Sequence, residues 1–463
     1  MDRQSGLDTA GVKERTFLVA LDTGDDGGWT AEESLAELAA LVETAGGEVV
    51  GTMSQARESM HPLWYVGSGK AKELKVALST LGFDLLVTDD ELSPKQQRAL
   101  EKLLDVRVID RSGVILDIFA QRAQTHEGRL QVELAQLEYQ LPRLTRLWTH
   151  LSRTGGGGAG SRAPIGAKGP GETQLETDRR VIRARIKKLK QRVAEVRVRR
   201  DTASGARNRR LLPSLAIVGY TNAGKSTLLN ALVGKHVVAS EDMLFATLDP
   251  TSRKIPVGGG QAVIVSDTVG FIHKLPHQLV DAFRATLEEV VRADVLIEVV
   301  DAADSHAREH RGTVQSVLDE LGAGHKPRVL VYNKIDLVER HTAKPFAVPP
   351  GERHAVAISA KAGLGLDDLR QMVGTVLAEL WTEVDVGIPY SAGSLLARAR
   401  ERGAVDFDYL DTEVRVHGRV DPALAGELAQ AARSWKRSLK QAEVADGRSR
   451  AGGARESDEP ASS

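Results

Sequence analysis

Apolar positions recur along this chain with two periods, and their alternation sketches most of its architecture. TFLVAL (16–21), GEVVGTM (47–53), FDLLVTDD (83–90) and VRVID (106–110) read as short strands, separated by helical spacing over 31–44, 70–81 and 93–104. Strands and helices in rotation predict a small parallel α/β domain over residues 15–125, after a disordered start at 1–14. Leu130, Leu134, Leu137, Leu141, Leu144, Trp148 and Leu151 then follow at spacings of 4 and 3. Leu175, Ile182, Ile186, Leu189, Val193 and Val196 keep the same register, with one polar seam position at Asp178 or Arg179. Two such helices predict an antiparallel hairpin over 126–210 that packs on itself and can stand away from the rest of the fold. Pro142 falls inside the first pattern and should kink it.

Between the two helical patterns lies TGGGGAGSRAPIGAKGPGETQ (154–174), a glycine-rich tip. It is either a slack connector or a loop whose bare backbone enters a narrow anionic place, with Arg162 and Lys168 meeting phosphates; helix connections are usually much shorter, which favours the second. Further on, apolar strands alternate with helical segments over 211–382, the pattern of a doubly wound α/β domain. VDVGIPY, a helix over 393–402, VDFDYL, TEVRVHG and a helix over 422–440 make an α+β domain at 383–443, followed by a tail at 444–463 that reads as disordered.

Charge sharpens this picture. Residues 1–130 hold 14 Lys+Arg against 22 Asp+Glu, a net of −8, whereas 143–210 hold 19 against 5, a net of +14. The basic hairpin is either a solvated helix pair or the binding face for a polyphosphate. No run is long enough to span a membrane, MDRQSGLDTA carries no apolar signal segment, and cysteine is absent. A cytoplasmic protein is expected, and disulfides, thiolate metal sites and cysteine nucleophiles are excluded.

Chemistry enters at LAIVGYTNAGKSTLLNAL. The apolar strand runs into Gly219-x-x-x-x-Gly224-Lys225-Ser226 and then a helix, the context a phosphate-binding loop requires. Its amides can cradle phosphates, Lys225 can reach the β and γ phosphates, and the Ser226 hydroxyl can ligate Mg²⁺. Asp267 closes the apolar strand of QAVIVSDTVG, where an acidic residue holds the Mg²⁺ shell through water and the Gly270 amide can sense a γ-phosphate. VLVYNKID ends in Asn333, Lys334 and Asp336, whose carboxylate can accept from N1 and N2 of guanine; HAVAISAK ends in Ser359, Ala360 and Lys361, near its O6. Four such motifs in order, each at a strand's C-terminal end, point to GTP and GDP.

FATLDPTSR supplies Thr247, the candidate that ligates Mg²⁺ and contacts the γ-phosphate only in the triphosphate state; otherwise it is a turn residue. The nucleotide is therefore expected among Gly219, Tyr220, Thr221, Asn222, Ala223, Gly224, Lys225, Ser226 and Thr227; Phe245, Ala246, Thr247, Leu248 and Asp249; Asp267, Thr268, Val269 and Gly270; Asn333, Lys334, Ile335 and Asp336; and Ser359, Ala360 and Lys361. Lys225, Thr247 and Gly270 are the catalytic candidates; Ser226, Thr247 and, through water, Asp267 are the metal candidates. Phe271 stands where many GTPases carry a glutamine that orients water, so slow hydrolysis dependent on a partner is expected. Tyr65-Val66-Gly67-Ser68-Gly69-Lys70 reads as a glycine turn entering a helix; the alternative is a second, ATP-binding site.

GYTNAGKST, FATLDPTSR, DTVGFI, NKID, SAK and above all GPGETQLETDRR resemble the HflX family of the Obg–HflX GTPases over roughly 15–440. The resemblance implies a P-loop GTPase domain preceded by the α/β domain with its hairpin and followed by the α+β domain. It implies a protein whose N-terminal part and hairpin bind the 50S subunit and whose GTP state splits stalled 70S ribosomes. The tip, 155–171, would then approach the peptidyl-transferase region. Arg162, Lys168, Arg179, Arg180, Arg183, Lys187 and Lys188 are the expected rRNA contacts of a monomeric factor; a large-subunit binding factor that splits nothing is the alternative.

Overall fold

The computed structural model describes residues 13–24, 28–144, 170–203, 212–234, 244–249, 251–257, 262–276, 284–342 and 344–452. Strands β1 (Arg15–Asp22), β2 (Glu48–Ala56), β3 (Leu85–Thr88) and β4 (Arg107–Asp110) form a parallel sheet in the order β2-β1-β3-β4. Helices α1 (Ala31–Thr44), α2 (Ser68–Leu81), α3 (Pro94–Leu104) and α4 (Arg111–Arg122) alternate with the strands. Leu18 and Ala20 of β1 pack toward α1 and α4, while Phe17, Val19 and Leu21 pack toward α2 and α3. A strand buried on both faces reads as one apolar run, as TFLVAL does. Reciprocal caps start α1 (Thr30 with Glu33) and α3 (Ser93 with Gln96), each satisfying two otherwise unbonded amides. Of the glycines expected in a turn, Gly67 is the extended N-cap of α2 and Gly69 already lies in its first turn; the Gly67 amide donates to Gln55 Oε1 at 2.8 Å and Lys70 pairs with Glu73 at 2.9 Å.

The hairpin helices are α5 (His126–Gln140) and α6 (Pro170–Ala203). Leu130 and Leu134 meet Leu189 in the seam, flanked by Leu137, Ile186, Val193 and Val196. Two expectations are corrected. Within the described residues α5 ends at Gln140 instead of running through Pro142 with a kink: Leu141 still has helical geometry, but the proline has no amide to continue the ladder. Nor does the hairpin stand free at its base, since Val132 and Ala135 of α5 are buried in the core shared with α1 and α4. Leu144 lies beyond the helix, Trp148 and Leu151 fall outside the described residues, and the last part of the expected loop, 170–174, is already the first turn of α6, with Pro170 at its start.

The second sheet runs β10 (Ala355–Ala357), β9 (Arg328–Asn333), β8 (Val295–Asp301), β5 (Ser214–Gly219), β7 (Ala262–Asp267), β6 (Thr251–Pro256), parallel except for the antiparallel edge strand β6. Helices α7 (Lys225–Val233), α8 (Arg284–Arg292), α9 (Ala307–Glu320), α10 (Ile335–Thr342) and α11 (Leu366–Leu380) complete this domain. The third sheet, β11 (Thr382–Pro389), β13 (Glu413–Val420) and β12 (Ala404–Tyr409), is antiparallel. It buries Ile388, Val416 and Val420 under α12 (Gly393–Arg402) and α13 (Pro422–Gly452). The final helix runs past 440, so residues 444–452 of the expected disordered tail are helical. Regular backbone likewise begins at Arg15, with 1–12 and 453–463 outside the described residues.

One buried ionic cluster joins the first two domains. Arg111, 1% exposed, donates to Asp89 Oδ1 (3.2 Å), Glu37 Oε2 (2.6 Å), the Ser34 carbonyl (3.2 Å) and the His273 carbonyl (2.8 Å). Lys274 reaches Asp89 and Asp90 at 2.7 Å each, and Asp90 accepts from the Tyr65 hydroxyl at 2.5 Å. Burial pushes the Asp89 carboxyl up, but Arg111 and Lys274 outweigh it and hold the group below its ordinary value of 3.8. Its contribution to stability is therefore complete above about pH 4 and is lost only as pH falls through the lowered value. Arg111→Met, which leaves Glu37 without its cation and Asp89 with Lys274 alone, is expected to cost about 3–5 kcal/mol by urea unfolding. A cost below about 1 kcal/mol would show that the cluster does not hold the domains together.

Candidate nucleotide site

Four strands of the second sheet deliver their C-terminal ends to one cavity of about 950 Å³. At the end of β5 the chain turns sharply. Gly219 has φ +150°, and a Cβ there would lie 2.3 Å from the Val299 carbonyl oxygen; Gly224, at φ +92°, would strike Asn333 Nδ2 at the same distance. These two glycines let the loop pass against β8 and β9 before α7 begins at Lys225. Lys225 is 7% exposed and donates to the Tyr220 carbonyl at 2.6 Å. Burial pushes its pKa down to about 8, with Asp267 opposing and Lys334 adding to the shift.

Three oxygens converge beside it. Ser226 Oγ donates to Asp267 Oδ2 at 2.7 Å and lies 2.7 Å from Thr247 Oγ1. Asp267 is fully buried, its other oxygen has no hydrogen-bond partner, and burial pushes its pKa up against Ser226, Lys225 and Thr247. Two hydroxyls and a buried carboxylate with an unmatched oxygen are a hard-donor set that suits Mg²⁺, directly or through water. Gly270 sits opposite: a Cβ there would come within 2.9 Å of Lys225 Nζ and of Thr221, so only a bare backbone fits. Thr268 Oγ1 donates to the Ile217 carbonyl at 2.6 Å. Phe271 bonds Gly219 and Thr221 through its backbone, while its ring is 1% exposed, within the core shared with the N-terminal domain.

At the far end, Asn333 ties two elements together, donating to the Ala223 carbonyl at 2.9 Å and accepting from the Ala360 amide at 3.0 Å. Lys334, with φ +64°, pairs with Asp301 at 2.7 Å. Ser359 Oγ donates to Asp336 Oδ1 at 2.6 Å, leaving the other carboxylate oxygen toward a cavity that Asp336, Ala360 and Lys361 line. Thr227, Phe245, Ala246 and Asn222 line it too.

Several expected contacts turn elsewhere. The Tyr220 ring stacks on His310 at 3.8 Å, and its hydroxyl donates to Glu37 and accepts from the His273 amide. Leu248 and Val269 are core, Asp249 faces the start of α5, and Ile335 donates its amide to the Ile358 carbonyl. Sequence reading missed Asn230, Leu337, Arg340 and Ala362 in the cavity wall. Leu337 and Arg340 follow NKID on α10, so helical continuation of that motif was the available signal.

The basic candidates divide. Arg162 and Lys168 lie outside the described residues, Arg179 is half-buried, and Arg180, Arg183, Lys187 and Lys188 are exposed. Arg185 and Lys190, by contrast, are neutralised within the hairpin by Glu133 and Glu138.

Three family models match the chain: GTP-binding GTPase N-terminal over 32–120, GTP-binding GTPase middle region over 122–207, and 50S ribosome-binding GTPase over 214–334. A protein named GTPase HflX from Caldanaerobacter subterraneus subsp. tengcongensis is 46% identical over 399 residues, covering 86% of this chain and 89% of its own. GTPase HflX of Escherichia coli K12 is 42% identical over 409 residues, covering 88% and 92% respectively.

If Asp336 reads the guanine N1 and N2 donors, Asp336→Asn should weaken GDP binding on the order of a hundredfold. It should also favour xanthosine diphosphate, whose O2 can accept from the new amide. Equal losses for both nucleotides in a fluorescence competition assay would place base recognition elsewhere.

Proposed function

The chain belongs to the HflX family of GTPases and hydrolyses GTP, and we propose that it does so on the ribosome, binding the 50S subunit and splitting stalled or idle 70S particles. The observation that carries this reading is the mounting of a strongly basic hairpin on a domain that grips the nucleotide site. Arg180, Arg183, Lys187 and Lys188 are exposed on α6, suited to rRNA phosphates. The base of that hairpin shares a hydrophobic core with Phe245, Leu248 and Phe271, which flank Thr247 and Gly270. The middle-region match over 122–207 and the 50S-binding description of the 214–334 match support the same partner.

In this reading the P-loop amides and Lys225 hold the phosphates, and Asp336, Ser359, Ala360 and Lys361 read the base. Ser226 and Thr247 would hold Mg²⁺ directly and Asp267 through water; when bound, the ion neutralises charge on the β and γ oxygens. The Gly270 backbone senses the γ-phosphate. Phe271 keeps its ring in the core, so its side chain offers the attacking water no polar group, and a ribosomal partner completes the catalytic site. The protein acts as a cytoplasmic monomer, and the glycine tip at 155–171 approaches the peptidyl-transferase region.

Mixing the protein with intact ribosomes and either GTP or a non-hydrolysable analogue should lower light scattering as subunits separate. GDP and Lys225→Ala should leave it unchanged. Flat scattering with retained 50S binding and stimulated hydrolysis would instead support a GTP-gated binding factor in assembly or dormancy.

A further inference from the structure

Asp249 lies two residues after Thr247, yet its carboxylate does not enter the nucleotide cavity. Oδ2 accepts from the backbone amides of Gln124 (3.0 Å) and Thr125 (2.8 Å), and Oδ1 accepts from Thr125 Oγ1 at 2.5 Å. Thr125 is the N-cap of α5, and its hydroxyl also accepts from the Gly128 amide at 2.9 Å. The helix start is thus already capped locally, and Asp249 brings a second, charged acceptor from 124 residues away to the end where the helix dipole is positive.

Gly128 supports the arrangement. Glycine in the first turn of a helix weakens it, but a Cβ at 128 would stand 2.5 Å from Asp249 Oδ1, so only glycine leaves room for the carboxylate. On the other side of Thr247, Phe245 adopts φ +55° and packs edge-on against Phe119 of α4 at 4.8 Å, while Leu248 is buried in the same core. Thr247 is therefore flanked by Phe245, packed on α4, and by Asp249, bonded to the start of α5.

We infer that Asp249 is a positioning residue for the triphosphate state: it ties the loop carrying Thr247 to the start of α5, so that Mg²⁺–GTP held through Thr247 and the docked pose of the hairpin favour one another. Coupling of this kind is reciprocal. Whatever fixes the hairpin tightens Mg²⁺–GTP relative to GDP, and loss of the γ-phosphate loosens the hairpin's mounting. The inference rests on reading Thr247 as a ligand of the magnesium ion.

The test is the affinity of the full chain for fluorescent GDP and for a fluorescent non-hydrolysable GTP analogue, each with Mg²⁺ and with EDTA. Asp249→Asn, Thr125→Val and Gly128→Ala should each weaken the Mg²⁺–analogue about tenfold and leave GDP within twofold, although Thr125 and Gly128 lie outside the cavity. EDTA should erase the difference, Thr125→Ser should restore wild-type selectivity, and the Asp249→Asn/Thr125→Val double variant should be no worse than either single one. Unchanged GDP affinity reports that the GTPase domain remains folded. Equal loss of both nucleotides, or loss of neither, would overturn the coupling. Thr247→Ala separates the two levels: if it alone discriminates analogue from GDP, the coupling fails while the ligand reading stands; if it does not discriminate, the ligand reading itself fails.

Discussion

A guanidinium stripped of water must find an acceptor for each of its donors or the fold does not form around it. Arg111 does so by drawing on α1, the chain leaving β3 and the segment after β7: Glu37 and the Ser34 carbonyl, Asp89, and the His273 carbonyl. None of these partners is close in sequence, so the cation forces the N-terminal sheet and the GTPase domain into one relative position. Lys274 repeats the bond from the other side, at Asp89 and Asp90. The ring stack of Trp29 on His273 at 4.6 Å and of Tyr220 on His310 at 3.8 Å fills the space between them.

That arrangement gives the nucleotide loops a frame that GTPase elements alone do not provide. The chain after Asp267 is bonded to the P-loop through the Phe271 backbone and held from outside by Arg111 and Asp89. The loop around Thr247 leans on α4 and the start of α5. Local order is lowest in cost where packing overdetermines the backbone, and here the packing comes from a different domain. The base of the hairpin and the loops that flank Thr247 and Gly270 are therefore parts of one continuous core.

The charge pattern has a matching logic. Part of the hairpin's positive charge is absorbed at home, where Arg185 and Lys190 on α6 meet Glu133 and Glu138 on α5. These exposed pairs contribute little stability; the buried contact of Leu189 with Leu130 and Leu134 decides which side of α6 faces its partner helix. Arg180 and Lys187 fall away from the apolar seam of Ile186 and Leu189 and Arg183 lies on its flank, all three exposed to solvent.

The linear code settled whatever depends on short-range periodicity and on backbone chemistry that tolerates one residue type. The strands, the part of the seam formed by Leu130, Leu134, Leu137, Ile186, Leu189, Val193 and Val196, and the glycines at 219, 224 and 270 belong here, because spacing and a missing Cβ are legible without neighbours. So was the convergence of four motifs at strand ends, which the topology of open parallel sheets imposes. The tertiary structure decided everything that rests on residues far apart. It sent Tyr220, Leu248 and Asp249 away from the cavity and added Leu337 and Arg340 to its wall; it stopped α5 before Pro142 and set its base in the domain core. Arg111 was unreadable as a keystone for the same reason: a lone arginine opening a helix shows its role only when acceptors from three distant segments close around it.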